Sequence, residues 1–236
     1  MEVVLDKTMQ KEVPLTRIQR LISRRMLTSK RSKPCFYLEA KADVTELMGM
    51  RHKLSKALGV KITSSAFFIH ALALAVREYP LVVGRFVSGP AGPVVEVADR
   101  VNVGFAVNTA RGLIAPIVKD AERKSLADIA RDEKRLTAGA RSNTLTLEDL
   151  EGETIAMSNL GAYDVDTFLG IVPPPATTIL SVGKVNTAVV AKDGQATERR
   201  LVSLSLAVDH RVVDGAYAAR FLQLIINELK NPERLL

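Results

Sequence analysis

The chain contains few of the residues that build disulfide frameworks, zinc sites and aromatic platforms for nucleic acids. Among its 236 residues it has one cysteine, Cys35, and no tryptophan, and aromatic residues make up 5% of the sequence. A single cysteine excludes an intrachain disulfide and a zinc site built from cysteines. Cys35 stands in a strand-like context, which predicts a buried structural thiol.

Long apolar runs are also missing, since no stretch approaches the ~18 residues that indicate a membrane span. The first residues, Met1 to Lys7, lack the pattern of a secretory signal. We therefore expect an intracellular protein without a membrane partner. The length and ordinary hydrophobic content predict one domain without an internal linker or repeat.

Basic residues exceed acidic ones and give a formal net charge of +7. Much of the excess lies near the N-terminus, where helical spacing also leaves an apolar stripe of Ile18, Leu21, Ile22 and Met26. No zinc-finger spacing or aromatic RNA-binding signature accompanies these charges. The sequence therefore predicts no nucleic-acid partner, although a small phosphate-bearing ligand could use the same positive charge.

Helix and strand signals alternate along the chain and predict an α/β fold with helices packed on a mixed β-sheet. Capping boxes at Thr16 and Gln19 and at Asp43 and Glu46 predict two helix starts. The expected helices are 17–30, one from Asp43 to near Gly59, 63–79, 125–140 and a short one capped by Thr146 and Asp149. The expected strands are 35–42, 101–107, 113–118, 154–158, 178–185 and 201–208, with a loop or hairpin turn at 84–93.

The best candidate for a general base is His210, one of three histidines. It lies in Asp209-His210-Arg211-Val212-Val213-Asp214-Gly215, between a strand signal and a helix signal, so backbone and an adjacent carboxylate could position it. A structural interpretation remains open, since aspartate and glycine also serve as cap and turn residues. The other two histidines are interpreted as a solvated His52 and a core His70.

The same segment resembles the active-site motif of the dihydrolipoamide acyltransferases, the core enzymes of 2-oxo acid dehydrogenase complexes, which share their fold with chloramphenicol acetyltransferase. Further motifs follow in the family's order from Val13 to the C-terminus. They include Val13-Pro14-Leu15-Thr16-Arg17-Ile18, Gly112-Leu113-Ile114-Ala115-Pro116, Ser158-Asn159-Leu160-Gly161, Ile179-Leu180-Ser181-Val182-Gly183 and Asn231-Pro232. The resemblance implies an N-terminal arm, 1–12, and one catalytic domain, 13–236, with a two-layer sandwich of sheet and helices.

The resemblance also implies roles for four residues. His210 matches the family's general base, Ser158 the hydroxyl donor to the developing oxyanion, and Asp214 the motif's second polar position. Arg17 is expected to organise the site through an ion pair with Asp214, with Arg20, Arg24 and Arg25 as competitors. Without the resemblance, Ser158 would be interpreted as a turn residue.

Substrates, partners and compartment follow from the same resemblance. The implied compartment is the bacterial cytoplasm or, in a eukaryote, the mitochondrial matrix. An acyl group passes between a dihydrolipoyl thiol and coenzyme A, and no metal is required. The histidine and serine come from neighbouring chains of a homotrimer, which assembles into a larger core with the other dehydrogenase complex subunits. Acetyl is the first choice of acyl group, with succinyl and branched-chain groups as alternatives. The terminal Leu235-Leu236 is expected to dock into a neighbouring trimer.

Departures from the family pattern leave alternatives open. No lipoyl or subunit-binding domain is present in the sequence, so the lipoyl group is expected from a domain absent from this chain. Ala162-Tyr163-Asp164 replaces a more apolar or glycine-containing sequence, which bears on acyl-group preference. The alternative function is a non-catalytic scaffold domain, but scaffold relatives tend to have lost the histidine that this chain keeps.

Overall fold

The structure, a computed structural model, describes residues 12–192 and 194–235. Helices in these ranges are α1 (Arg17–Ser32), α2 (Thr45–Ala57), α3 (Ser64–Glu78), α4 (Leu126–Ser142) and α5 (Gly215–Lys230). The strands there are β1 (Cys35–Asp43), β2 (Gly84–Gly89), β3 (Gly92–Val97), β4 (Val103–Phe105), β5 (Val107–Thr109), β6 (Gly112–Ile114), β7 (Ile117–Val118), β8 (Ile155–Asn159), β9 (Thr178–Lys192) and β10 (Gln195–Asp209).

Six of the strands form one mixed sheet in the order β1-β10-β9-β8-β4-β7. The pairs β1–β10, β10–β9 and β4–β7 are antiparallel, and β9–β8 and β8–β4 are parallel. The pairs β2–β3 and β5–β6 are separate antiparallel hairpins. The predicted α/β class with a mixed sheet is confirmed, and the expected loop at 84–93 is the β2–β3 hairpin.

The two faces of the sheet bury different residues because side chains alternate along each strand. Leu180, Leu204 and Leu206 belong to the main core together with the buried sides of α3 and α5. Ile179 and Ala207, on the opposite face, form a smaller cluster with Ala156 and Val172. Helices therefore cover one face, as expected for a two-layer sandwich. No helix in the described ranges is long and apolar enough to cross a membrane.

The central β9–β10 hairpin is longer than the sequence predicted. Each strand has 15 residues, whereas the apolar runs indicated only 178–185 and 201–208. The extra length lies in the outer part of the hairpin, where Val189 and Glu198 pair and are both exposed. The hydrophobic pattern of the sequence therefore predicted only the part of each strand that is buried in the core.

Capping predictions had mixed outcomes. The box at the start of α1 is confirmed, because Gln19 N–H donates to Thr16 Oγ1 and Thr16 N–H donates to Gln19 Oε1. The box at Asp43 and Glu46 is wrong, since Val44 precedes α2 and the Asp43 carboxylate instead binds Thr45 and Arg199. Thr146 and Asp149 do exchange hydrogen bonds, but they form a turn and not a helix.

The C-terminal leucines were expected to dock into a neighbouring trimer, but Leu235 packs within its own chain. Leu235 ends a short 3-10 turn, Pro232–Leu235, and is 1% exposed within the main core of its own chain. Leu236 lies outside the described residues. The apolar end of the chain thus completes the core beside α3 and α5.

One acidic side chain, Glu153, is buried just before β8. It is 9% exposed and lies over Gly104 of β4, where a Cβ atom would come within 3 Å of its carboxyl group. Burial raises the pKa of Glu153 to about 7, although the charges of Arg25 and Lys33 act in the opposite direction. Nothing in the sequence indicated this residue, because burial of an acid next to a glycine depends on tertiary packing.

We predict that Leu235→Ala lowers the free energy of unfolding by about 2–4 kcal/mol, because it removes methyl groups from a closed core. Leu147→Ala, at a position that is 74% exposed, is the matched control and should change stability by less than about 0.5 kcal/mol. Urea denaturation of both variants tests this. Equal stability of the two variants would contradict the burial of Leu235.

We predict that Glu153→Gln stabilises the protein more at pH 8 than at pH 4.5. The folded pKa of Glu153, about 7, exceeds the ordinary value of 4.5, so the folded state binds more protons between these values. Wild-type stability contributed by this group is therefore lost as pH rises through that window, and glutamine escapes the loss. The extra gain at pH 8 should reach at most about 3 kcal/mol.

The measurement is urea denaturation at both pH values, with Glu198→Gln as the control because Glu198 is exposed on β10. The control should have the same effect at pH 4.5 and pH 8. A pH-independent effect of Glu153→Gln would show that the carboxyl group is not held in its neutral form.

Candidate active site

His210 follows β10 directly and is held by its backbone and by one aromatic contact. Its N–H donates to Pro34 O at 3.0 Å, which continues the β1–β10 ladder by one position. The imidazole stands edge-on to Phe36, with ring centroids 5.2 Å apart at 81°. The residue is exposed, and its ring has no hydrogen-bond partner in the described part of the chain. The imidazole is thus oriented by Phe36, while its nitrogens remain open to solvent.

Asp209 was expected to position the histidine, and it does so through the backbone turn and not by touching the ring. Its carboxylate is 1% exposed and binds Arg211 twice, at 2.9 Å to Nε and 2.6 Å to Nη2. The backbone N–H of Arg211 also donates to this carboxylate, at 3.1 Å. The Arg211 guanidinium lies 4.4 Å from the centre of the Phe86 ring on β2. These contacts close the turn that presents His210.

Asp214 begins the helix that follows the histidine. Its Oδ1 accepts a hydrogen bond from Tyr217 N–H at 2.7 Å, which makes it the N-cap of α5. The expected ion pair with Arg17 is not formed within the chain, since neither residue appears among the ion pairs of the described ranges. Arg17 opens α1 and is exposed. Asp214 therefore organises this end of the sheet as a helix cap.

Ser158 lies near the end of β8 and lines a cleft of about 1050 Å³. The serine is half-buried, and its hydroxyl has no hydrogen-bond partner among the described residues. The cleft is bounded by α3, α4, the β5–β6 hairpin and the turn Gly161–Tyr163. Its lining includes Ser65, Asn108, Glu133, Arg141, Ala162 and Tyr163. A hydroxyl donor thus faces a space large enough for a small-molecule substrate.

The structure separates His210 from Ser158 by two strand spacings across the sheet and by five residues along the strands. Ser158 is level with Ser181 of β9, and Ser181 is level with Ser205 of β10, which stands five residues before His210. At about 3.3 Å per residue and about 4.8 Å between strands, the two Cα atoms are roughly 20 Å apart. A base and an oxyanion donor must both reach one carbonyl within about 3 Å, so these two do not meet within one chain.

The ionisable groups near His210 differ from those in the cleft beside Ser158. Near His210, burial lowers the pKa of Lys33 and raises the pKa of the Cys35 thiol, which is also next to Asp209. In the cleft, Glu133 is buried, accepts a hydrogen bond from Thr63 at 2.6 Å, and has its pKa raised by that burial. Cys35 is half-buried, so the predicted buried thiol is only partly covered, and the neutral thiol is favoured there.

The substituted segment after the serine motif does border the cleft. Ala162 and Tyr163 line it, and the Tyr163 hydroxyl accepts a hydrogen bond from Asn108 at 3.1 Å. Asp164 adopts a left-handed conformation with φ 63 and pairs with Lys184. Ala162 and Tyr163 therefore form part of the cleft wall.

The remaining histidines behave as expected. His52 is exposed on α2, and His70 is buried in α3 with Nδ1 unpartnered. Burial, together with nearby Arg77, lowers the pKa of His70 to about 4, so its imidazole is neutral in the core. No group of three or more His, Cys, Asp or Glu side chains in 12–192 and 194–235 could hold a metal ion.

Comparison with known proteins gives a family for this arrangement. A family model described as 2-oxoacid dehydrogenases acyltransferase (catalytic domain) matches residues 7–236. The dihydrolipoyllysine-residue acetyltransferase component of the pyruvate dehydrogenase complex from Rickettsia bellii is 32% identical over 227 residues. The match covers 94% of this chain and 53% of that protein. The chain thus spans about half the length of the curated relatives it matches.

Solved structures agree with the sequence matches. Azotobacter vinelandii dihydrolipoamide acetyltransferase, solved to study the role of a serine, a histidine and an asparagine in its catalytic mechanism, superposes with a TM-score of 0.89 at 31% identity. The superposition covers 96% of this chain and 93% of that one, as it does for the cubic core of the pyruvate dehydrogenase multienzyme complex. Chloramphenicol acetyltransferase shares the fold, with a TM-score of 0.54 at 14% identity. Matched by the family model over nearly its whole length, the chain belongs to the 2-oxoacid dehydrogenase acyltransferase (catalytic domain) family.

Proposed function

We propose that the chain transfers an acyl group between a dihydrolipoyl thiol and coenzyme A, as the catalytic core of a 2-oxo acid dehydrogenase complex. One observation carries the proposal. Ser158 and His210 are separated by the same number of residues as the serine and histidine studied in the Azotobacter enzyme, and Asp214 stands where that enzyme has its asparagine. The polar side-chain atoms of Ser158 and His210 form no hydrogen bond with any described residue of this chain.

The chemistry requires a base and an oxyanion donor. The imidazole of His210 removes the proton of the attacking thiol, whose ordinary pKa of ~8.5 is within reach of an imidazole near ~6.5. The thiolate forms a bond to the thioester carbonyl carbon, and negative charge develops on the oxygen. The Ser158 hydroxyl donates to that oxygen. When the tetrahedral intermediate collapses, the original carbon–sulfur bond breaks and the imidazolium returns its proton to the leaving thiolate.

The site is complete only when two chains meet, because His210 and Ser158 lie roughly 20 Å apart in one chain. A homotrimer in which the His210 end of one protomer faces the Ser158 cleft of its neighbour supplies both groups to one carbonyl. A cyclic trimer repeats this contact three times. Further assembly of trimers into a larger core is supported by the likeness to a cubic pyruvate dehydrogenase core.

The substrates approach from the two ends of this joint site. The cleft beside Ser158, with Arg141 on its wall, offers positive charge for the phosphates of coenzyme A. The His210 end then receives the dihydrolipoyl arm, carried by a lipoyl-bearing domain on a sequence outside residues 1–236. The bacterial cytoplasm or mitochondrial matrix stays the predicted compartment, and the other complex subunits stay predicted partners.

Subunit complementation tests the shared site. His210→Ala should lower acyl transfer by about 10²–10⁴-fold, and Ser158→Ala should lower kcat by about 10²–10³-fold with little change in KM. Equal amounts of the two variants, unfolded and refolded together, should regain about a quarter of wild-type activity, because three quarters of random trimers hold one intact site in three.

Each variant refolded alone is the control, with light scattering to show that assembly is unchanged. No recovery in the mixture would mean that His210 and Ser158 do not act across one interface. Wild-type turnover by His210→Ala alone would eliminate it as the base.

Comparing acyl-coenzyme A donors tests both the acyl-group preference and the alternative of a non-catalytic scaffold. Acetyl-coenzyme A should exceed succinyl-coenzyme A by roughly tenfold or more in kcat/KM, since a succinyl carboxylate would lose its hydration beside apolar lining residues such as Phe68 and Phe105. Thiol-dependent transfer to dihydrolipoamide is measured with acetyl-, succinyl- and isobutyryl-coenzyme A. Absence of transfer from all three donors would favour the non-catalytic scaffold.

A further inference from the structure

The backbone that carries Ser158 is supported on one side only. The neighbouring strand β4 pairs with β8 up to Met157, and Ala106 N–H makes the last bond of that ladder to Met157 O at 3.2 Å. Ser158 and Asn159 keep their partner on the other side, where they lie level with Ser181 and Val182 of β9. The side left without a strand faces the cleft, at the position where the oxyanion donor must be held still.

Asn159 spans this gap with both ends of its side-chain amide. Its Nδ2 donates to Ser65 Oγ, in the first turn of α3, at 3.2 Å. Its Oδ1 accepts a hydrogen bond from Gly161 N–H at 3.0 Å, which forms an Asx turn. One half-buried side chain therefore ties the end of β8 to a helix of the core and to the turn that forms the next part of the cleft wall.

Gly161 shows how little room this turn has. A Cβ atom at that position would lie 2.7 Å from Gly183 O and 3.2 Å from Asn159 Oδ1. Leu160 N–H is bound in turn to Val182 O at 3.0 Å. Because the turn is packed against β9 at this distance, a shift of Asn159 would move the chain on both sides of it, including Ser158.

We infer that Asn159 is a positioning residue for the Ser158 hydroxyl. It replaces the missing strand pairing and fixes the donor relative to α3, whose first turn lines the same cleft. This inference rests on the proposed function, since it assigns Asn159 a part in that reaction. Asn159 acts through Ser158, so its contribution exists only while the hydroxyl is present.

Asn159→Ala should lower kcat by about 10–100-fold while KM for acyl-coenzyme A changes by less than about twofold, because a donor misplaced by about 1 Å loses transition-state contact before it loses substrate. Ser65→Ala removes only the Nδ2 partner and should lower kcat by about threefold to tenfold. The Ser158→Ala, Asn159→Ala double variant should be about as slow as Ser158→Ala alone.

Asn102 provides a matched control because its side-chain amide also donates one hydrogen bond and accepts one, at a position away from the cleft. Its Nδ2 donates to Gly152 O at 2.8 Å, and its Oδ1 accepts from Asp120 N–H at 3.0 Å. Asn102→Ala should lower thermal stability as much as Asn159→Ala does and leave kcat within about twofold of wild type. If Asn159→Ala does not fold, Ser65→Ala and its double variant with Ser158→Ala carry the same comparison.

Activity with acetyl-coenzyme A and dihydrolipoamide, together with thermal unfolding, decides the matter. If the kcat losses of Ser158→Ala and Asn159→Ala multiplied in the double variant, or if Asn102→Ala lost as much kcat as Asn159→Ala, the positioning role would be overturned. Acyl transfer by the wild-type chain would still support the proposed function in either case. A wild-type chain that transfers no acyl group would overturn the proposed function and the inference with it.

Discussion

The hydrogen-bond register of β8, β9 and β10 fixes the distance between His210 and Ser158, and the proposed sharing of one site between two chains depends on that distance. The strands pair over long stretches, with a register that places Ser158, Ser181 and Ser205 on one line across the sheet. Changing the separation would require a slip of a central strand, which would turn its core side chains toward the opposite face. The roughly 20 Å between the two groups is therefore as stable as the core itself.

The two candidate site residues, His210 and Ser158, are held at the ends of their strands by different contacts. At one end, the buried Asp209 carboxylate is neutralised by Arg211 and shapes the turn, while Asp214 starts the next helix. Removing Arg211 would leave a buried charge unpaired, which is the costly half of such an ion pair. At the other end, Ser158 depends on one strand partner and on the neutral amide of Asn159. The histidine is held by charge and helix capping, and the serine by neutral hydrogen bonds.

Local patterns were predictable from the sequence wherever nearby residues decide the structure. The Thr16–Gln19 capping box formed because both partners lie within one helical turn. Asp43 offered the same pattern, but Arg199, far along the chain, takes its carboxylate at 2.6 Å. Glu153 and Leu235 were missed for a similar reason, since the burial of each is decided by elements distant in sequence. The order of the motifs predicts which residues take part in the proposed reaction, but the distance between Ser158 and His210 became known only from the strand register.

The side chains of His210 and Ser158 have no hydrogen-bond partner among residues 12–192 and 194–235, which has an energetic consequence for the proposed trimer. In a single chain the His210 ring is exposed, so water satisfies its nitrogens at no cost to folding. If a neighbouring cleft covered the ring, as the proposed trimer requires, that water would have to leave, and burying the imidazole without new partners would cost free energy. The interface must therefore be stabilised elsewhere, and the exposed apolar side chains of α1, Ile18 and Leu21, are suited to that role. Assembly then leaves the polar atoms of both half-sites facing the reacting groups, which is the preorganisation that thioester transfer requires.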